Sequence, residues 1–186
     1  MSSPTPRAAR AARRPIARLL VVLTAVVATS VSLVGVAGSA SAVPARSAKE
    51  RALAAAVLKV LNAERVAHHL PRLSSRARLR LSARRHNLTM ARHNSLSHQL
   101  PGEADFARRI SATGYRWRYA GENIGWNSVT TKRGVVALEK IMYHEKAPYD
   151  GHRQNILSRS YRNVGVDVYI DRKHHKVWLT TDFGRH

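Results

Sequence analysis

Cysteine is absent from the 186-residue sequence. That excludes a disulfide framework, thiol nucleophiles and zinc sites built on thiolates, so an exported form of the chain must hold together by packing alone. Acids are scarce too, 11 against 32 lysines and arginines, for a formal charge of +21. Such a surplus attracts anionic surfaces in general and specifies none of them. Aromatics make up only 6% of the residues, and no helix-turn-helix or zinc-finger spacing occurs, so specific nucleic-acid recognition is not expected. No G-x-S-x-G nucleophile elbow is present. His144-Glu145 is not the start of an H-E-x-x-H motif, because Pro148 occupies the fifth position. Internal repeats are missing as well.

What is there begins with a targeting signal. Arg7, Arg10, Arg13, Arg14 and Arg18 precede an apolar run from Leu19 to about Ala37, which ends in Gly38-Ser39-Ala40-Ser41-Ala42. A basic start, an apolar middle and a small-residue site describe a secretory signal peptide over 1–42, cleaved after Ala42. The rival reading is an uncleaved membrane anchor formed by residues 19–37. Arg13-Arg14 leaves the export route, general or twin-arginine, open. Residues 43–49 read as a linker and 50–186 as one domain. All 11 acids and 27 of the 32 basic residues lie beyond Ala42, which leaves +16 on residues 43–186.

Ser47-Ala48-Lys49-Glu50 has the form of a capping box, and Leu53, Val57 and Leu61 recur at spacings of four, which predicts a helix to about Ala67. A second helix is predicted from about Ser75 to Asn94, with Leu79, Ala83, His86, Met90 and Asn94 on one face. Its arginines at 78, 80, 84, 85 and 92 are assigned mostly to solvent. A short helix over 104–112, an extended stretch over 115–126 and a third helix from Thr130-Thr131 to near Glu145 follow. Val164, Val166, Val168 and Ile170 alternate along one strand, Val177, Leu179, Thr181 and Phe183 along another, with Asp171 to His174 as the hairpin loop. The class is α+β with a mostly antiparallel sheet.

Three polar residues fit poorly into a purely structural reading. His98 sits in an SLSHQLPG loop. Glu122 shares a strand face with Ala120 and Ile124, where an unpaired carboxylate is costly. His152 follows the Asp150-Gly151 turn and opens onto Arg153-Gln154-Asn155. Two imidazoles around one glutamate satisfy each other's burial and also make a divalent-metal site such as zinc, with His98 and His152 as ligands. The plainer alternative is a folding motif in which His152 hydrogen-bonds to Glu122.

The segments LSH (Leu96 to His98), AGENIG (Ala120 to Gly125) and GHRQNIL (Gly151 to Leu157) resemble the bacterial branch of the CAP superfamily, which comprises cysteine-rich secretory proteins, antigen 5 and pathogenesis-related 1 proteins. Leu61 to Arg65, His86 to Met90, Ala112 to Tyr115, Val164 to Val166 and Asp182 to Gly184 extend the resemblance in the same order. It implies a three-layer α-β-α sandwich and a cleft lined by two histidines, His98 and His152, with the glutamate Glu122. For the second cleft acid of many members it offers Glu145, and less well Glu139. Two features depart from the relatives: Ala147 to Gly151 replaces a small turn before the second histidine, and His69 stands where a glycine commonly ends the first helix.

Three functions follow as alternatives. The first is a secreted module whose cleft binds a divalent cation or small ligand at the cell envelope or outside the cell. The second is a metal-dependent hydrolase of peptide or cell-wall substrates, with Glu122 or Glu145 as base. The third is a nonspecific cationic binder of anionic polymers. Expected partners are anionic envelope polymers or lipids, and the chain is expected to be a monomer.

Overall fold

A computed structural model describes residues 43–186. The signal peptide or anchor assigned to 1–42 lies outside the described residues. Helix α1 (Ala48–Ala67) starts at the expected capping box: Ser47 accepts from the Glu50 amide while the Glu50 carboxylate accepts from the Ser47 amide. Its end bears out the departure noted at His69, which takes the left-handed conformation with φ 55°. Strand β1 (Ser74–Ser75) and helix α2 (Ala77–His93) follow. Helix α3 (Phe106–Ser111) is shorter than expected, and strand β2 (Tyr119–Asn127) starts four residues later than the extended stretch suggests. Helix α4 (Lys132–Tyr143) stops two residues before Glu145. Helix α5 (Gly151–Leu157) and strands β3 (Asn163–Asp171) and β4 (Lys176–Arg185) complete the chain.

The sheet has the order β1-β3-β4-β2. The β2–β4 and β3–β4 pairs are antiparallel, while β1 runs parallel to β3, so the sheet is mixed rather than purely antiparallel. Two residues carry no readable periodicity, which is why β1 escapes sequence analysis.

Strand alternation sorts the side chains into two layers. On one face Val164, Val166, Val168, Leu179 and Phe183 pack with Leu53, Val57 and Leu61 of α1, Leu138 and Met142 of α4 and Ile156 of α5. On the other, Ile124 and Trp178 meet Met90 and Ala91 of α2, and Leu79 packs with Ile110 of α3. The result is the α-β-α sandwich. Gly165 lets α2 lie directly on the sheet, since a Cβ there would collide with the backbone of Leu79 and Arg80.

One surface assignment is corrected. Arg84 is not solvent-facing but buried between Glu50 and Asp167, with its guanidinium over the Tyr169 ring. Helical spacing places a residue on a face but cannot show that acids distant in sequence meet it there.

Candidate functional site

The site straddles β2, which is an edge strand. An edge leaves backbone groups without partners, and the chain closes this one with side chains. The Tyr161 hydroxyl donates to the Ala120 carbonyl and the Asn155 amide to that of Glu122, while Asn123 reaches the His152 carbonyl. The polar run of α5 therefore fastens that helix to its neighbours rather than only to itself. Arg153 donates to the Tyr143 carbonyl and stacks on the Tyr143 ring. Gln154 alone stays local, on Asp150.

Glu122 projects into the α2–α3 layer and is 5% exposed. His98, in the loop after α2, donates from Nδ1 to its Oε1 at 2.8 Å, and Arg109 of α3 donates to its Oε2. Burial alone would push the Glu122 carboxyl up. The His98 hydrogen bond, the nearby His86 ring and Arg109 outweigh it and hold the carboxyl below the usual range. Arg109 also anchors the loop by donating to the carbonyls of His98 and Ala104. Across the ladder Glu122 faces Asp182 of β4. Burial, and then the charge of Glu122, raise the Asp182 carboxyl well above its ordinary value.

On the other side of the strand, Glu145 just past α4 accepts twice from His152: from the backbone N–H at 3.0 Å and from Nδ1. The expectation that both rings share Glu122, and its alternative of a His152–Glu122 bond, are corrected here. Each imidazole has its own carboxylate, because His152 and Glu122 approach from opposite layers of the sandwich. His98, Glu122, Glu145 and His152 nevertheless line one opening of about 380 Å³, together with Tyr149, Gly151 and Asn155. Glu139 does not: it is fully buried in α4 against Glu64 of α1. A larger opening, about 520 Å³, lies where Pro44 to Glu50 meets Tyr169 to Lys173, away from the four residues.

Sequence reasoning missed Arg109 and Asp182. Arg109 looks like its neighbour Arg108, and only its spacing beside Ile110 hints that it turns inward. For Asp182 the signal was available: strand alternation with Phe183 puts it on the face of Glu122. Tyr149, 87% exposed at the rim, belongs to the loop that departs from the relatives.

A metal has to fit this donor set. A carboxylate only accepts, so each ring donates through Nδ1, and a neutral ring then keeps a lone pair on Nε2. Among the described residues, Nε2 of neither ring makes a hydrogen bond. Carboxylates behind imidazoles are the usual outer partners of metal-binding histidines. No group of three or more histidines, aspartates or glutamates among the described residues is placed to hold an ion. A cation in this opening would have at most the two imidazole nitrogens as protein ligands, which falls short of a complete protein-built metal site among the described residues.

The profile of the cysteine-rich secretory protein family matches residues 58–183. No curated protein matches the chain. Among solved structures, an extracellular protein containing an SCP domain from Bacillus anthracis has a TM-score of 0.63 at 26% identity, over 74% of this chain and 41% of that one. An outer surface protein of Borrelia burgdorferi has a TM-score of 0.63 at 10% identity, over 73% of this chain and 94% of the other. A cysteine-rich secretory protein of Staphylococcus aureus has a TM-score of 0.56 at 18% identity, over 76% and 40%. The last two similarities show the fold alone. The chain spans less than half the length of the Bacillus anthracis and Staphylococcus aureus proteins.

Proposed function

From the premise that the chain belongs to the cysteine-rich secretory protein family, we propose that it is a secreted binding module whose cleft holds a divalent cation, zinc among them, or a small ligand through His98 and His152. Export rests on the signal-like residues 1–42 and on the extracellular description of the Bacillus anthracis relative. The observation that carries the cleft reading is the pair of imidazole–carboxylate couples on one opening, each with Nδ1 engaged and Nε2 free of protein partners. The cation would supply Lewis acidity to whatever ligand completes its shell. The protein's own part is to fix the tautomer and orientation of each ring.

Binding is favoured over hydrolysis by the same bonds. A general base needs a free carboxylate oxygen within reach of water. Glu122 has one oxygen on His98 and the other on Arg109, and Glu145 spends both on His152.

The test is zinc binding by the full chain, followed by calorimetry from pH 8 down to pH 5. Ligand imidazoles must shed their protons, so affinity should fall with pH. His98→Ala and His152→Ala should each abolish the pH-dependent component, and Glu145→Gln should weaken it roughly 10–100-fold. Zinc affinity that is flat with pH, or unchanged in both histidine variants, defeats the reading. Metal-dependent turnover of a peptide or cell-wall substrate that disappears in His152→Ala would replace it with the hydrolase.

A further inference from the structure

One end of the sheet, remote from the β3–β4 turn, gathers positive charge and exposed aromatic rings. The register brings the ends together: Ser74 pairs with Asn163, Asn163 with Gly184, and Tyr119 with Arg185. Exposed Arg76, Arg116, Arg118, Arg162 and Arg185 therefore cluster at this end. Among the described residues none of them lies within ion-pair distance of a carboxylate, the arginines that do being Arg46, Arg84, Arg108 and Arg109. Residues 1–42 contain no acid that could neutralise them, and between Asp105 and Glu122 the sequence has none either.

Trp117 and Tyr119 interleave with Arg116 and Arg118, and they are 37% and 51% exposed. An open groove runs beside Trp117, lined by Ser111, Gly114, Tyr115 and Arg116. A tryptophan left in water usually keeps its indole N–H for the solvent. Here that N–H already donates to the Ser111 hydroxyl at 3.0 Å, so the ring can leave water without losing a hydrogen bond.

We propose that this end of the sheet docks on an anionic phospholipid bilayer, with Trp117 and Tyr119 among the headgroups and the arginines over lipid phosphates. The chemistry fits point by point. Tryptophan and tyrosine partition to the headgroup level, where one side of each ring is apolar and the other wet. Arginines lay their stems along that boundary while the guanidinium binds phosphate in a fork. Single-stranded nucleic acid would also satisfy the charges and stack on the rings, but residues 1–42 read as an export signal, and outside the cell lipid phosphates are the commoner anions. The surface is separate from the cleft and stands whether or not the cleft holds a cation.

The experiment is co-sedimentation of the full chain with phosphatidylglycerol–phosphatidylcholine vesicles and with phosphatidylcholine vesicles, compared among wild type, R116S/R118S and W117S. All three proteins carry the same residues 1–42, so differences between them belong to this face, and circular dichroism checks that these exposed substitutions leave the fold intact. Wild type should prefer the anionic vesicles, and R116S/R118S should bind them roughly 30-fold more weakly, at about fivefold per arginine. On anionic vesicles wild-type tryptophan fluorescence should shift to the blue, and W117S should lose the shift and bind more weakly. Equal binding by R116S/R118S and wild type overturns the proposal. So does W117S binding like wild type while soluble polyphosphate strips both from the vesicles, because the surface would then read charge alone.

Discussion

Replacing Glu139 by glutamine should stabilise the protein at pH 8 and change it little at pH 5. Glu139 is fully buried in α4, and among the described residues neither of its oxygens has a donor. It faces Glu64 of α1, with Lys140 and Arg153 as the cations nearest that partner. Burial, and then the charge of Glu64, push the Glu139 carboxyl well above its usual range, while burial lifts Glu64 from 4.5 to about 7. Both folded values exceed the unfolded ones, so the unfolded chain gives up its protons first as the pH rises. Folded stability is therefore full below about pH 4.5, declines above it, and for Glu64 levels off near pH 7.

Glu64, raised mainly by its own burial, sets only the scale of what burying a carboxyl at this contact costs, and Glu139 lies deeper. A rise from 4.5 to about 7 corresponds to at most ~3.4 kcal/mol, and screening at this half-buried group reduces it to about 1.5–2 kcal/mol. An unsatisfied buried polar group at position 139 costs a comparable 1–3 kcal/mol or so. Glutamine keeps the shape, cannot ionise and can donate to Glu64. At pH 8 the Glu139→Gln variant should gain about 2 kcal/mol, or roughly 6 °C in melting temperature. At pH 5 the gain should shrink to about 0.5 kcal/mol, since that pH lies only half a unit above the unfolded value of 4.5 and little of the penalty has yet accrued. Thermal and urea denaturation at the two pH values read the difference. A variant less stable at pH 8, or shifted equally at both, would show that Glu139 is ionised and paired, and the reasoning would fail.

Two further outcomes are expected. Arg109→Met removes the partner of one Glu122 oxygen and both anchors of the His98 loop, so urea denaturation should register a loss of about 3–5 kcal/mol, the cost of leaving a buried charge unpaired. Because Glu122 is held below the ordinary carboxylate range, its contribution is present at neutral pH and fades as the pH falls through the lowered value. The wild-type advantage over this variant should therefore narrow in acid. His69→Gly relieves the left-handed conformation at the end of α1, where φ is 55° in an exposed residue. The strain released exceeds the added entropy of an unfolded glycine, so the melting curve should show a gain of roughly 0.5–1 kcal/mol.

How far the molecule could be read in advance varied from element to element. The capping box at Ser47, the spacing-of-four stripe of α1 and the alternation of β3 and β4 depend on neighbours within a few residues, and they appear where periodicity put them. The short β1 and the exact ends of α3 and α4 depend on what the rest of the fold lays beside them. Arg65 shows the same limit inside the core. Its segment reads as part of the first helix and as part of the family resemblance, neither of which marks it as buried, yet it is fully buried and donates to the carbonyls of Pro71, Ile156 and Ser158.

The cleft divides along the same line. Residue chemistry singled out His98, Glu122 and His152, since a histidine or carboxylate amid turn signals and apolar neighbours needs a partner. Resemblance added Glu145. Which carboxylate serves which ring was a matter of layers: β2 lies at the sheet edge, so one couple forms above it and the other below.

By itself the sequence determined the local geometry of this protein, its excess of positive charge and the residue types that had to find partners, because these follow from the backbone's short-range preferences and from composition. Only the tertiary structure decided the pairings. Arg109 with Glu122, Glu139 against Glu64 and the arginines gathered at one end of the sheet are contacts between residues far apart along the chain. Their energies depend on distance and on exclusion of water, and neither quantity exists until the layers close.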